Sequence, residues 1–457
     1  MTAPSSPVPR SARPLTDADR AAVENLRALV RVPTVSLPDA VDASTLDAFA
    51  AVLADRYPRV HARADVERIA DHSLLFRIHG RGTADPVVLM AHYDVVPVDE
   101  QAWTRPPFSA DLVGEGVDAV VWGRGTLDDK GVLAAILEAC ERIPESAERA
   151  DGDIYLSFGF DEETTGSGAL GVVAELERRG VRPRLVLDEG GAVVEGAFPG
   201  VERPLAVVGV SEKGIATLRL RTREPGGHAS TPPTLPATAR LARAITRLQR
   251  RPFPARLDAP TRAMVARLAP HATGPLRTVF RAVRVTAPLV CAVLARATPE
   301  TRAMVRTTQA VTELTGSPAA NVLAQQATAS VNIRIAVGSS VDEVVRHVRR
   351  AIRDDAVEVE VVHATEPSPV SPSEGPAWGL LEAVIGEVYP DAIVTPYVML
   401  QASDSRHFTR ISDAVYRFLP FDLTTAERAS IHAADERIRV DTFLRAVRFF
   451  ELLLARL

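Results

Sequence analysis

The fold is decided by the stretch 87-VVLMAHYDVVPVDEQAWTRPPFSADLVGEGVDAVVWGRGTLDDKG-131. Val87 to Met90 is an uninterrupted apolar run, the pattern of a strand buried on both faces. It leads into His92 and Asp94. The stretch closes on Gly123, Arg124 and Gly125, then the adjacent carboxylates Asp128 and Asp129, and a helix-like segment from Lys130. In a parallel sheet the carboxyl-end loops share one edge. A histidine at a strand end and a carboxylate at a strand-to-helix turn therefore meet there. The pattern predicts that they meet at a metal.

The same rhythm continues outward. Lys130 to Ile143 predicts a helix, Ile154 to Phe160 a strand, Ser167 to Arg179 a helix and Leu185 to Leu187 a short strand. Upstream, Thr16 and Asp19 form a capping-box pattern before a helical repeat, and Val60 to Ile69 alternates like a strand. Such alternation predicts an α/β fold: a mostly parallel sheet with helices on both faces. After Val210 the pattern changes. Ile215 to Arg221, Val322 to Ile335 and Val357 to Val362 read as strands, with helices over Pro236 to Arg250 and Val341 to Ile352. This set predicts an inserted α+β lid. The organisation expected is a disordered N-terminus over 1–15, a catalytic domain over 16–210 and 366–457, and a lid over 211–365 with a helical elaboration at 252–315. Four prolines between Glu366 and Pro376 mark the return linker.

Composition excludes several function classes. A net charge of −5 gives no reason to expect nucleic acid or an anionic membrane as partner. No apolar run is long enough to span a bilayer. The N-terminus has no apolar secretory core, so the cytoplasm is the expected location. Cys140 and Cys291 lie in apolar helical contexts and read as small core residues.

The chemistry-bearing residues fall at element ends. His92 follows the first buried strand and Asp128 sits on the glycine-flanked turn. Glu162 and Glu163 follow Phe160, Asp188 ends LVLD, and His432 precedes the last helix. Together they supply two imidazoles and several carboxylates, the inventory of a two-metal site, which needs one bridging carboxylate. Asp128 suits that place, in the middle of the order. Asp94, two residues from His92, is placed to accept the other ring N–H and fix the tautomer. Of the neighbours Glu162 and Glu163, one is free to act as general base while the other binds metal.

These residues stand in the motifs HYDVVP, GRGTLDDKG, DEETTGSGA, LDEGG, GGHAS, ASDSRHF and IHAADERI. The ordered set resembles the M20 metallopeptidases, co-catalytic zinc amidohydrolases that include carboxypeptidase S-like enzymes, dipeptidases and aminoacylases. The resemblance covers nearly the whole chain after about residue 15. It implies His92, Asp128 and Asp188 on one zinc, and Asp128, Glu163 and His432 on the other, with the Asp128–Asp129 peptide cis. It implies Glu162 as base and proton shuttle and Asp94 as the orienting partner of His92. His228 becomes the lid histidine that supports the oxyanion in a partner subunit's site. Arg406 becomes the partner of the substrate carboxylate, and Asn321 a polar lid contact. Cobalt or manganese also suits such mixed N/O ligands. The expected activity is hydrolysis of a peptide or amide bond in a small substrate with a free carboxylate. The alternatives are N-acyl amino acid deacylation and a silent binding module. A homodimer through the lid is expected. The segment before Arg406 reads QASDSR where the family spelling is closer to GGTDSR, so the substrate pocket differs there.

Overall fold

A computed structural model describes residues 14–37, 40–99, 101–144 and 150–457. Residues 1–13 of the expected disordered N-terminus lie outside the described residues. The body contains strands β1 (Ala64–Ile69), β2 (Ser73–Ile78), β3 (Ala84–His92), β4 (Gly152–Gly159), β5 (Leu185–Val194) and β6 (Leu205–Glu212). The lid contributes β7 (Gly214–Arg223), β8 (Thr308–Thr315), β9 (Gln326–Ile335) and β10 (Val357–Thr365). The chain then returns to the body through β11 (Ile393–Met399) and β12 (Val415–Leu423).

The body sheet runs β1-β2-β4-β3-β5-β12-β6-β11. Its centre is parallel: β3 pairs with β4 and β5, β5 with β12, and β6 with β11. The run Val87 to Leu89 is fully buried in it, as an apolar strand covered on both faces must be. Helices Lys130–Arg142 and Val440–Leu454 pack together in the largest core. Helix Ser167–Arg178 belongs to a second cluster with Val88, Met90 and Val186. The helices thus cover both faces. The helix Asp17–Val30 opens on the expected capping box, with Thr16 Oγ1 accepting from Asp19 N and Asp19 Oδ2 from Thr16 N.

The lid is a four-stranded antiparallel sheet, β8-β9-β7-β10, with its own core of alternating residues such as Leu218, Leu220, Val331 and Ile333. Its first and last connections to the body run side by side. Ser368 N donates to Glu212 O, and a Cβ on Gly214 would fall 2.5 Å from Thr365 O. Only glycine allows that approach.

Strand β6 was not expected, and three further elements differ from expectation. Val60 to Arg63 is helical rather than extended, because Pro58 takes the first helical turn and Val60 is buried. β5 continues to Val194, because pairing with β12 resumes at Gly191 after an irregularity at Glu189 and Gly190. The helical elaboration ends before Thr308, and β8 is a lid strand whose residues alternate in register with β9. The helices of the elaboration are inserted within the lid in sequence, yet they pack on the body in space. Leu257, Met264, Val265, Leu268, Phe280 and Leu294 join the body core rather than the lid core. Phe280 stacks edge-on against Phe198, with ring centroids 5.7 Å apart.

This packing makes a testable demand. Phe280→Ala is expected to destabilise the whole body by about 3–5 kcal/mol in urea unfolding followed by far-UV circular dichroism. A loss below about 1 kcal/mol would mean that the helices fold apart from the body.

Candidate metal centre

The site forms where the carboxyl ends of the parallel strands converge. β3 ends at His92, in register with Gly159 at the end of β4. Gly125, at φ +86°, turns the chain so that Asp128 reaches the same edge, and a Cβ there would lie 2.9 Å from Val95 Cγ1. The Asp128–Asp129 peptide is cis. Asp161 shapes the next loop by accepting from Ser167 N at 2.8 Å and Gly168 N at 3.0 Å, and Glu162 and Glu163 follow it.

Asp128 stands between the two histidines. Its Oδ1 is 2.9 Å from His92 Nε2 and its Oδ2 is 3.1 Å from His432 Nε2. His432 Nε2 is also 3.1 Å from Glu163 Oε1. Two groups of potential ligand atoms result, each within 4.8 Å: His92, Asp128 and Glu189, and Asp128, Glu163 and His432. Asp128 belongs to both. Imidazole nitrogen with carboxylate oxygen is a donor set that suits a divalent transition metal, so the residues present fit the expected ions.

One expected ligand lies elsewhere. Asp188 accepts from Ser405 N at 2.9 Å, and it is Glu189 that joins His92 and Asp128. Successive residues of a strand point to opposite faces. The pairing of β5 with β12 shifts register just after Asp188, so Glu189 stands in an irregular stretch, and its carboxylate is the one that faces the centre.

Asp94 does more than orient His92. Its Oδ1 lies 3.3 Å from His92 Nδ1, and its two oxygens accept from Glu162 N at 3.2 Å and Glu163 N at 3.1 Å. One buried carboxylate thus positions a ligand and the loop carrying the candidate base. Glu162 itself belongs to neither ligand group. Burial pushes its carboxyl well above the usual range, and nearby Asp404, Asp128 and Glu163 add to the rise. Burial raises Glu163 as well. Burial also opposes ionisation of Asp128, but hydrogen bonds from His432 and His92 outweigh it and hold the group below the usual carboxylate range. Hydrogen bonds to Asp128 and Glu163 raise His432 to about 10.

Glu436 was not among the residues singled out from sequence, although it stands in the motif IHAADERI. Its Oε1 accepts from Leu127 N at 2.7 Å and Asp128 N at 3.2 Å, and its Oε2 from Arg124 Nη1 at 2.6 Å. It ties the His432 loop to the Asp128 turn. His432 takes φ +60° in that loop. The available signal was its spacing, four residues beyond a predicted ligand.

Arg406 lies on the 3₁₀ segment Asp404–Arg410. Arg334, on lid strand β9, was also missed. Burial, then the charge of Arg406, lowers its pKa, which places two guanidinium groups near each other across the boundary between lid and body. Its signal was a charged residue inside the apolar alternation NIRIAV. His228 and Asn321 sit on the lid hairpin formed by Gly227–His228 and Val322–Leu323. Ser230 Oγ lies 2.8 Å from His228 Nδ1, and Asn321 O accepts from Ala229 N at 3.0 Å. Among the described residues neither joins the two ligand groups of its own chain.

Glu436 and Arg124 are both fully buried, so removing one charge strands the other. Glu436→Gln is expected to cost about 3–5 kcal/mol in chemical denaturation. A change within about 0.5 kcal/mol would remove the pair from the framework of the site.

Residues 88–456 match the model of peptidase family M20/M25/M40. Over 435 residues the chain is 34% identical to the Xenopus tropicalis protein named N-fatty-acyl-amino acid synthase/hydrolase PM20D1, covering 94% of this chain and 84% of that one. It is 33% identical over 400 residues to probable carboxypeptidase S-like 2 of Dictyostelium discoideum, covering 86% of this chain and 76% of the relative. Its fold is similar to the crystal structure of an M20 family metallo-carboxypeptidase, Sso-CP2 from Sulfolobus solfataricus. The TM-score is 0.68 at 17% sequence identity, with 96% of this chain and 99% of that chain covered. Among the described residues no helix is long and apolar enough to cross a membrane. The family match and the extent of these relatives establish that the chain belongs to peptidase family M20/M25/M40, as a metallohydrolase of the carboxypeptidase- and N-acyl-amino-acid-hydrolase-like kind.

Proposed function

We propose that the chain hydrolyses the amide bond of small N-acyl amino acids at a two-zinc centre. The observation that carries this reading is the Asp128 carboxylate, placed between His92 and His432 with Glu162 beside the two ligand groups and outside both. His92, Asp128 and Glu189 would hold one ion, and Asp128, Glu163 and His432 the other. Glu189 takes the place expected for Asp188, whose carboxylate is engaged with Ser405 N. Bound there, the ions supply Lewis-acid polarisation and lower the pKa of a water toward ~7.

The chain's own residues supply the rest. Glu162 accepts the proton of the attacking water and delivers it to the departing amine nitrogen. Burial raises the affinity of this carboxyl for a proton, which favours accepting one from water. Asp94 keeps the imidazole of His92 oriented. Arg406 and Arg334 bind the free carboxylate of the amino acid portion, each offering a planar fork of N–H donors. His228 supports the oxyanion in the site of a second subunit, which makes the working form a homodimer. Its place on the lid hairpin, with neither ligand group of its own chain, supports that role.

The fatty-acyl relative favours acylated amino acids as the first reading. The carboxypeptidase S-like relative favours a second one, cleavage of dipeptides, which uses the same carboxylate contacts.

Glu162→Gln is expected to lower kcat by about 10²–10⁴-fold while metal content by atomic emission stays unchanged. An unchanged kcat would remove Glu162 from proton transfer. Substrates whose carboxylate is amidated are expected to lose at least about tenfold in kcat/KM, and Arg406→Ala is expected to abolish that discrimination. Equal rates on both substrate forms would sink the carboxylate contact. In the metal-free chain His432 keeps its proton up to about pH 10, so loading at neutral pH must expel it. Calorimetric titration with zinc in buffers of different ionisation enthalpy is expected to show net proton release, with affinity falling as pH is lowered. Proton uptake would contradict the ligand role of His432.

A further inference from the structure

A second cleft lies where the lid meets the body. Its volume is about 630 Å³, inside the range of roughly 300–1,000 Å³ that holds small molecules. None of the residues in the two ligand groups lines it. Its walls come from two separate cores. Phe253 and Val344 belong to the lid core, whereas Leu257 and Val305 belong to the body core. Anything filling this cleft touches both parts of the molecule.

The polar lining is strongly one-sided. Arg256, Arg306, Arg346 and Arg350 all line the cleft. Among the described residues none of these four side chains has an ion-pair or hydrogen-bond partner. Arg306 Nε is sealed from solvent without an acceptor. Two acids share the lining, and they do not cancel this charge. Asp258 caps the helix Ala259–Leu268 by accepting from Thr261 N at 2.7 Å, and it faces the buried Lys213. Glu343, in the first turn of the helix Val341–Ile352, is exposed, as are Arg256, Arg346 and Arg350, and it offsets at most one of the four charges. His347 is engaged as well, with Nε2 2.9 Å from Arg251 O and its ring stacked on Phe253 at 4.0 Å.

Several other lid arginines are neutralised by carboxylates. Arg219, Arg221 and Arg223 pair with Glu358 and Glu360, and Arg240 and Arg243 pair with Asp354. Four unneutralised guanidinium groups around one cleft repel each other and concentrate positive potential in it. A bound anion removes that repulsion, and guanidinium forks match phosphate and carboxylate oxygens in geometry.

We propose that this cleft binds a small organic molecule with a doubly charged oxyanion head and an apolar body. The arginines take the head, and Phe253 and Val344 contact the body. Because the walls belong to two cores, the bound anion bridges the lid and the body.

The test is calorimetric titration of the metal-loaded, full-length protein with phenyl phosphate. A parallel titration with phenylmalonate distinguishes phosphate from dicarboxylate as the preferred head. Saturable binding with a Kd below about 1 mM is expected for at least one of them. Arg306→Gln, Arg346→Gln and Arg350→Gln are each expected to weaken it about tenfold or more. Arg406→Ala, which alters the proposed catalytic cleft, is expected to leave it unchanged. Hydrogen exchange near Lys213 and Glu366 is expected to slow on binding. Arg346 and Arg350 are exposed, so their variants carry the test even where Arg306→Gln fails to fold. Absence of saturable binding by both probes overturns the proposal. So does affinity that survives the Arg346 and Arg350 substitutions, or affinity that Arg406→Ala removes.

Discussion

The Asp128 carboxylate lies between two imidazoles, 2.9 Å from His92 Nε2 and 3.1 Å from His432 Nε2. That placement brings together parts of the chain separated by more than three hundred residues. It also sets the electrostatic problem of the site. Asp94, Asp128, Glu162, Glu163 and Glu189 crowd into one largely buried volume, and burial alone pushes Glu162, Glu163 and Glu189 toward their neutral forms. Metal ions at the two ligand groups would stabilise the anions, and Glu162, outside both groups, would stay available to carry a proton.

The framework around Asp128 follows from that need. Glu436 links its turn to the His432 loop through backbone N–H donors, and Arg124 compensates Glu436 in turn. Asp94 performs the matching task for His92 and the Glu162 loop. On the far side of β5 a second buried network joins Arg417, Glu212 and Ser403, while Asp188 receives Ser405 N. This network supports the segment that carries Arg406. The catalytic edge is thus braced from both faces of β5, and the lid joins the body beside Glu212, a member of that second network.

Much of this centre was readable from sequence, for physical reasons. A continuous apolar run such as Val87–Met90 has few alternatives to a buried strand, so the positions of His92 and Asp128 followed from it. Glu162, Glu163 and His432 also stand at element ends. The choice between Asp188 and Glu189 was not readable. It depends on the register shift between β5 and β12 just after Asp188, a long-range feature with no local pattern. Glu436 and Arg334 act through tertiary contacts that leave only faint local patterns. The helices after Pro252 were recognisable as helices. Their apolar faces do not say which core they join, and placement on the body rather than the lid required the structure.

The central claim is that Asp128 is shared by two metal ions. Anomalous diffraction from zinc-loaded crystals, recorded on both sides of the zinc absorption edge, tests it most directly. The account predicts two peaks roughly 3.5–4 Å apart. One lies among His92, Asp128 and Glu189, the other among Asp128, Glu163 and His432. A single peak, or a peak ligated by Asp188 in place of Glu189, would contradict it.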